Sequence, residues 1–205
     1  MGITTVYFVR HAQSHPTEGI ENADWPLSVR GRQQAEDLAP LLLPLEIGHL
    51  VSSPFARCLR TIAPFAELGS LTIEVCSDLR ERHLGIGLDG DFPSVWRRSW
   101  EDFDFAMPGH ETSREAKRRF VAAVDRICRD HEGQTIGVCA HGNVIGLLLH
   151  HLDESNGRET AEGLTNPDVL RFRVDDGTIT WDRAFRLAGL EGVATNPAET
   201  LVNRG

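Results

Sequence analysis

Two short apolar runs in this chain each end on a histidine. Val6-Tyr7-Phe8-Val9 leads into Arg10-His11, and Ile136-Gly137-Val138-Cys139-Ala140 leads into His141-Gly142. Runs of this length, rich in β-branched and aromatic residues, read as buried strands. In an open α/β sheet, ligands sit beyond the carboxyl ends of the strands, so two parallel neighbours that end this way would present both imidazoles to one crevice. Arg10 beside His11, with Arg57 on the helix expected after Pro54, completes a pocket for a tetrahedral anion. Its positive charge comes from side chains, so no metal is required.

The elements that must position these groups alternate along the chain. After the strand at 4–10, Ser28 is placed to cap a helix running through Gly31 and Ala35 toward Leu43, with Pro40 disturbing its last part. Residues 49–51 read as a brief strand. Ser53-Pro54 reads as a helix start, and Phe55, Leu59, Ile62 and Phe65 supply one apolar face before Gly69. A strand at 71–75 follows. The stretch 82–110 is irregular, with a short helix expected at 93–103. Thr112 and Glu115 form a capping box for the longest helix, which stops near Gly133. A strand at 135–140 precedes a helix at 143–151. Residues 169–174 and 178–184 read as a hairpin across Asp175-Asp176-Gly177. This alternation implies an α/β three-layer sandwich with a mainly parallel central sheet flanked by helices.

The 205 residues, 40% of them hydrophobic, suit one domain covering 1–205. Within it, 82–110 reads as a cap insertion and 185–205 as a C-terminal tail. A formal net charge of -9 argues against a nucleic-acid binder, which needs a basic face to displace counterions. It leaves small phosphate esters open, because a partly buried pocket is governed by its near charges. The chain contains no apolar run long enough for a membrane span and enters its first strand without a signal-peptide pattern, so the cytoplasm is the expected compartment. The four cysteines have neither metal-ligand spacing nor the density of a disulfide scaffold and are expected as core thiols. The histidines lack the helical pairing with a nearby carboxylate that zinc hydrolases show, so neither a metal nor a cofactor is expected.

Arg10-His11-Ala12-Gln13-Ser14 resembles the Arg-His-Gly signature of histidine phosphatases and cofactor-dependent phosphoglycerate mutases. Four further elements follow in that family's order. They are Pro26-Leu27-Ser28 with Gly31 and Gln34-Ala35; Ser52-Ser53-Pro54 with Arg57 and Thr61; Leu79-Arg80-Glu81 with Leu84-Gly85; and Ala140-His141-Gly142-Asn143. Pro108-Gly109-His110-Glu111-Thr112 is similar to a segment common in the phosphatase members. The resemblance covers about residues 4–150. It implies that His11 is the nucleophile, that Arg10, Arg57 and His141 clamp the phosphoryl oxygens with Ser14 and Asn143 as further contacts, and that Glu81 is the proton donor. The reaction implied is hydrolysis of small phosphomonoesters through a phosphohistidine. Phosphoglycerate mutase-type transfer is the alternative, and a catalytically silent phosphate-binding domain a third. The partner expected is a small phosphomonoester, with no nucleic acid and no membrane; the oligomeric state stays open, a homodimer included.

The chain departs from the family's pattern at Ala12, which replaces the usual Gly. Thr17 and Gly146 stand where the mutases have an Asn and an Arg, which argues against the mutase reaction. Trp96-Arg97-Arg98-Ser99, however, is similar to a mutase tetrapeptide that helps hold phosphoglycerate. With Trp100, the residues Trp96, Arg97 and Arg98 are therefore the expected selectors of substrate. The cap also mixes aromatic residues with Asp89, Asp91, Glu101, Asp102 and Asp104, a composition that favours weakly charged or aryl leaving groups.

Overall fold

The computed structural model describes residues 2–88 and 90–196. They form a six-stranded sheet in the order β3-β2-β4-β1-β5-β6, with β1 at Thr4–Arg10, β2 at His49–Ser52, β3 at Ile73–Val75, β4 at Thr135–Ala140, β5 at Asp168–Asp175 and β6 at Thr178–Trp181. The pairs β1·β4, β2·β4 and β2·β3 are parallel, whereas β5 runs antiparallel to both β1 and β6. Six helices flank the sheet or its loops: α1 (Val29–Leu42), α2 (Ala56–Gly69), α3 (Phe92–Glu101), α4 (Ser113–Asp130), α5 (Gly142–Leu152) and α6 (Arg158–Gly163). The fold is the expected α/β sandwich.

Strand periodicity explains the layering. Side chains alternate across a sheet, so Val6 and Phe8 of β1 face one side and Tyr7 and Val9 the other. Val6 and Phe8 meet Phe120, Val124 and Ile127 of α4 and Ile145, Leu148 and Leu149 of α5. Tyr7 and Val9 meet Leu38 and Leu42 of α1 and Cys58, Ile62 and Phe65 of α2. Both faces are covered, which is why β1 and β4 read as unbroken apolar runs.

Helix ends follow their sequence signals in two places. The Ser28 hydroxyl accepts the Gly31 N–H at the start of α1, and Thr112 with Glu115 forms the capping box of α4. The two-residue turn Asp176-Gly177, with φ of 46° and 74°, joins β5 to β6 in the conformation that matches strand twist. The expected start of α2 is different: the helix begins at Ala56, with Phe55 as its extended N-cap. Ser53 and Pro54 precede it because the Ser53 hydroxyl is engaged by His141, as described below. α6 has no counterpart in the sequence reading. The stretch after 185 packs back on the sheet through 196, with Leu187 buried in the cluster of α1 and α2 and Thr195 bridged to Asn166. Residues 197–205 of the expected tail, Met1 and Asp89 lie outside the described residues.

Candidate active site

Parallel pairing of β1 with β4 aligns Arg10 with Ala140, so the residues that follow each strand, His11 and His141, emerge side by side. Their ring centroids are 5.2 Å apart. Both are buried, His141 completely. His11 Nδ1 lies 2.7 Å from the carbonyl of Ala12. A carbonyl can only accept, so Nδ1 carries the proton and Nε2 keeps the lone pair. Arg57 Nε donates to that Nε2 at 3.2 Å. Burial first, then the Arg57 and Arg10 guanidiniums, hold the His11 imidazole well below its ordinary range and keep it neutral. His141 is depressed in the same way, by burial and then by Arg57. Its Nε2 shares a 2.7 Å hydrogen bond with Ser53 Oγ, and Cys58 Sγ lies 3.4 Å away.

The two arginines are held from outside the histidine pair. Arg10, at the end of β1, donates through Nη1 to the Leu164 carbonyl, and its Nε is buried without a partner. Its guanidinium lies against the backbone of Gly142, where an added Cβ would fall 2.8 Å from Cζ. Burial lowers its pKa to about 10, still far above neutrality. Arg57, on the first turn of α2, donates to the Asn22 carbonyl at 2.7 Å and to Asn22 Oδ1 at 3.3 Å. Asn22 belongs to the loop after His11 and escaped sequence reasoning, since no periodicity marks it.

Glu81 turns inward, away from an ion pair with its neighbours. Arg80 pairs with Asp78 and Glu111, and Arg82 donates to the Glu111 carbonyl, to Ser113 Oγ and to the Phe105 carbonyl. The Glu81 carboxylate instead accepts the N–H groups of Asn143 at 3.1 Å and Val144 at 3.2 Å in the first turn of α5, together with Arg82 N–H at 2.9 Å. Loss of solvent raises its pKa despite Arg57, these N–H bonds and Arg10, which suits a group that gives up a proton. Asn143 is buried, and neither polar atom of its side chain has a hydrogen-bond partner among the described residues.

A supporting layer fixes the loop after β1. Ala12 N–H donates to Thr61 Oγ1, Gln13 N–H to Gln34 Oε1, and Asn166 Nδ2 to the His11 carbonyl. Ala12 is not among the positive-φ residues, so the replacement of the usual Gly leaves the loop unstrained. Ser14 is bridged through its backbone to Leu27. The hydroxyl of Thr17 donates to the His15 carbonyl within its own turn.

The expected selectors Trp96, Arg97, Arg98 and Trp100 all lie on α3. Trp100 is buried with Ala116, Leu147 and Ala161, and Trp96 donates to Glu162. Arg98 lies over the Phe105 ring at 4.1 Å. Arg97 lines a separate cleft with Glu101, His150, Glu154 and Arg158. Amphipathic packing of α3 accounts for this: Trp100 packs on Ala116 of α4, Leu147 of α5 and Ala161 of α6, while Arg97 and Glu101 border that cleft. Among the described residues, no three His, Cys, Asp or Glu side chains are placed to hold a metal ion, and no helix is long and apolar enough to cross a membrane.

Residues 6–185 match the model of the histidine phosphatase superfamily, branch 1. The chain belongs to this superfamily. A probable phosphoglycerate mutase of Shigella dysenteriae is 31% identical over 156 residues, which are 70% of this chain and 72% of the relative. Among solved structures, the mycobacterial glucosyl-3-phosphoglycerate phosphatase superposes with a TM-score of 0.73 at 25% identity, covering 91% of this chain and all of that one. A phosphoglycerate mutase of Bacillus anthracis, at 24% identity, 88% coverage of this chain and 92% of its own, has a TM-score of 0.73 and shares the fold. The superfamily thus includes phosphatase and mutase members.

Proposed function

We propose that this histidine phosphatase superfamily member hydrolyses small phosphomonoesters through a phosphohistidine on His11. The observation that carries this reading is the state of His11: a neutral ring whose Nδ1–H is fixed on a carbonyl and whose Nε2 lone pair accepts from Arg57, with the Arg10 charge near by. When a phosphoryl group enters, Arg57 exchanges its bond to Nε2 for a phosphoryl oxygen, which frees the lone pair for attack. Arg10, Arg57 and His141 then spread over the equatorial oxygens and neutralise the charge of the transition state. Glu81 protonates the departing alkoxide, then takes a proton from the water that hydrolyses phosphohistidine.

Hydrolysis is favoured over mutase transfer by what surrounds the pocket. A mutase must hold a charged second group of its substrate while the phosphoryl moves. Here Arg98 lies over Phe105, Arg97 borders a different cleft, the Thr17 hydroxyl is spent on its own turn, and a Cβ added at Gly146 would fall 2.5 Å from Ala161. The test compares phosphate release from 4-nitrophenyl phosphate with interconversion of phosphoglycerates, in the wild type and in His11→Ala. Release that disappears in His11→Ala supports the reading, whereas interconversion without release would overturn it.

A further inference from the structure

Phe55 stands between the phosphate clamps. As the extended residue ahead of α2, it passes its carbonyl to Cys58 and Leu59 and its N–H to Ser53 Oγ, which fixes its backbone to the same hydroxyl that holds His141. Its ring meets the His141 imidazole at 69° with centroids 5.0 Å apart, and the Arg57 guanidinium lies over it at 4.8 Å. The residue is only half-buried although both of these neighbours are buried. The ring is thus in contact with both His141 and Arg57 and keeps part of its surface unburied.

We infer that Phe55 is the wall of the leaving-group subsite and selects phosphomonoesters whose ester oxygen is carried on a flat, apolar group. The inference rests on the phosphomonoester reading above. An aromatic ring offers a neighbouring aromatic group an offset or edge contact, and it offers nothing to a second phosphate or carboxylate. Arg98, which would otherwise compensate such a charge, lies over the Phe105 ring, and Arg97 lines a different cleft. The selector is thus one residue of the α2 start and not the tryptophans of the cap.

Binding of benzylphosphonate and methylphosphonate, neither of which can be hydrolysed, tests the inference without requiring turnover. Titration calorimetry on the wild type, Phe55→Leu and Phe55→Ala gives the preference for the aryl ligand as a ratio of dissociation constants. An aromatic pair adds about 0.5–1.5 kcal/mol to area burial, so the ratio should fall by about two- to tenfold in Phe55→Ala, and partly in Phe55→Leu. Phe55→Leu keeps apolar bulk at the helix start and guards against a folding defect in the smaller variant. A ratio unchanged in both variants, or a wild type without aryl preference, overturns the inference. A ratio that falls as expected in a protein that releases no phosphate from any ester upholds Phe55 as the selector while overturning the hydrolytic reading.

Discussion

Gly142→Ala should cripple the enzyme without unfolding it. A Cβ at this position would sit 2.8 Å from Arg10 Cζ and 2.9 Å from Nε, where ordinary contact begins at 3.4 Å, so the guanidinium must retreat by about 0.6 Å. Arg10 cannot swing aside freely, because it is buried, its Nη1 is held by the Leu164 carbonyl and Asp168 attracts it. A misplacement approaching 1 Å in a group that stabilises the transition state costs on the order of 100-fold, or about 2.7 kcal/mol of barrier. Steady-state kcat/KM for 4-nitrophenyl phosphate, with a thermal melt as the folding control, should show about this loss, mostly in kcat. The melting temperature should move far less, since alanine favours the first turn of α5 as well as glycine does or better. Activity within about twofold of wild type would refute the placement of Arg10 in the clamp.

Other expectations follow from the same geometry. Glu81→Gln should slow alkyl esters by about 100-fold or more while 4-nitrophenyl phosphate, whose leaving group hardly needs a proton, loses much less; equal slowing would remove Glu81 from the role of acid. Because burial and two guanidiniums depress His11, the acid limb of kcat/KM should lie below the ordinary imidazole pKa of about 6.5, and a limb at that value would contradict the neutral, clamped ring. The depressed histidines also tie stability to pH: below about 6.5 the unfolded chain binds protons that native His11 and His141 refuse, so each histidine costs about 1.4 kcal/mol per pH unit as pH falls toward its folded value. Melting temperatures of wild type and His141→Asn across this range should converge on acidification; parallel curves would speak against a neutral buried His141. A chelator should leave turnover unchanged, since arginines and histidines supply the charge, and loss restored by a divalent cation would move the case to metal-assisted hydrolysis.

The parts of this molecule legible in its sequence are those written in local patterns. β1 and β4 are buried on both faces and show it as apolar runs; α4 announces itself by its capping box and its amphipathic face. Their ends locate the two histidines, and parallel pairing does the rest. What was not legible depends on contacts far apart in the chain. Asn22 meets Arg57, Asn166 meets the His11 carbonyl, and Gln34 links the loop after β1 to Asn166; Asn22 and Asn166 stand in no periodic segment, and the place of Gln34 on α1 does not name its partner. The start of α2 was misplaced because Ser53-Pro54 is an ordinary helix-start signal, whereas here the serine serves His141. The orientation of residues 96–100 was not legible for a different reason. A tetrapeptide shared with mutases says nothing about which way its helix turns, and α3 turns its aromatic residues into a small core.

The central claim is that His11 Nε2 takes up the phosphoryl group, and the measurement that tests it most directly is trapping. Enzyme mixed briefly with a 32P-labelled aryl phosphate and quenched without acid should carry label in the peptide containing His11, stable to alkali and lost in acid, and His11→Ala should carry none. Label on a serine or cysteine, or turnover in His11→Ala, would contradict the account.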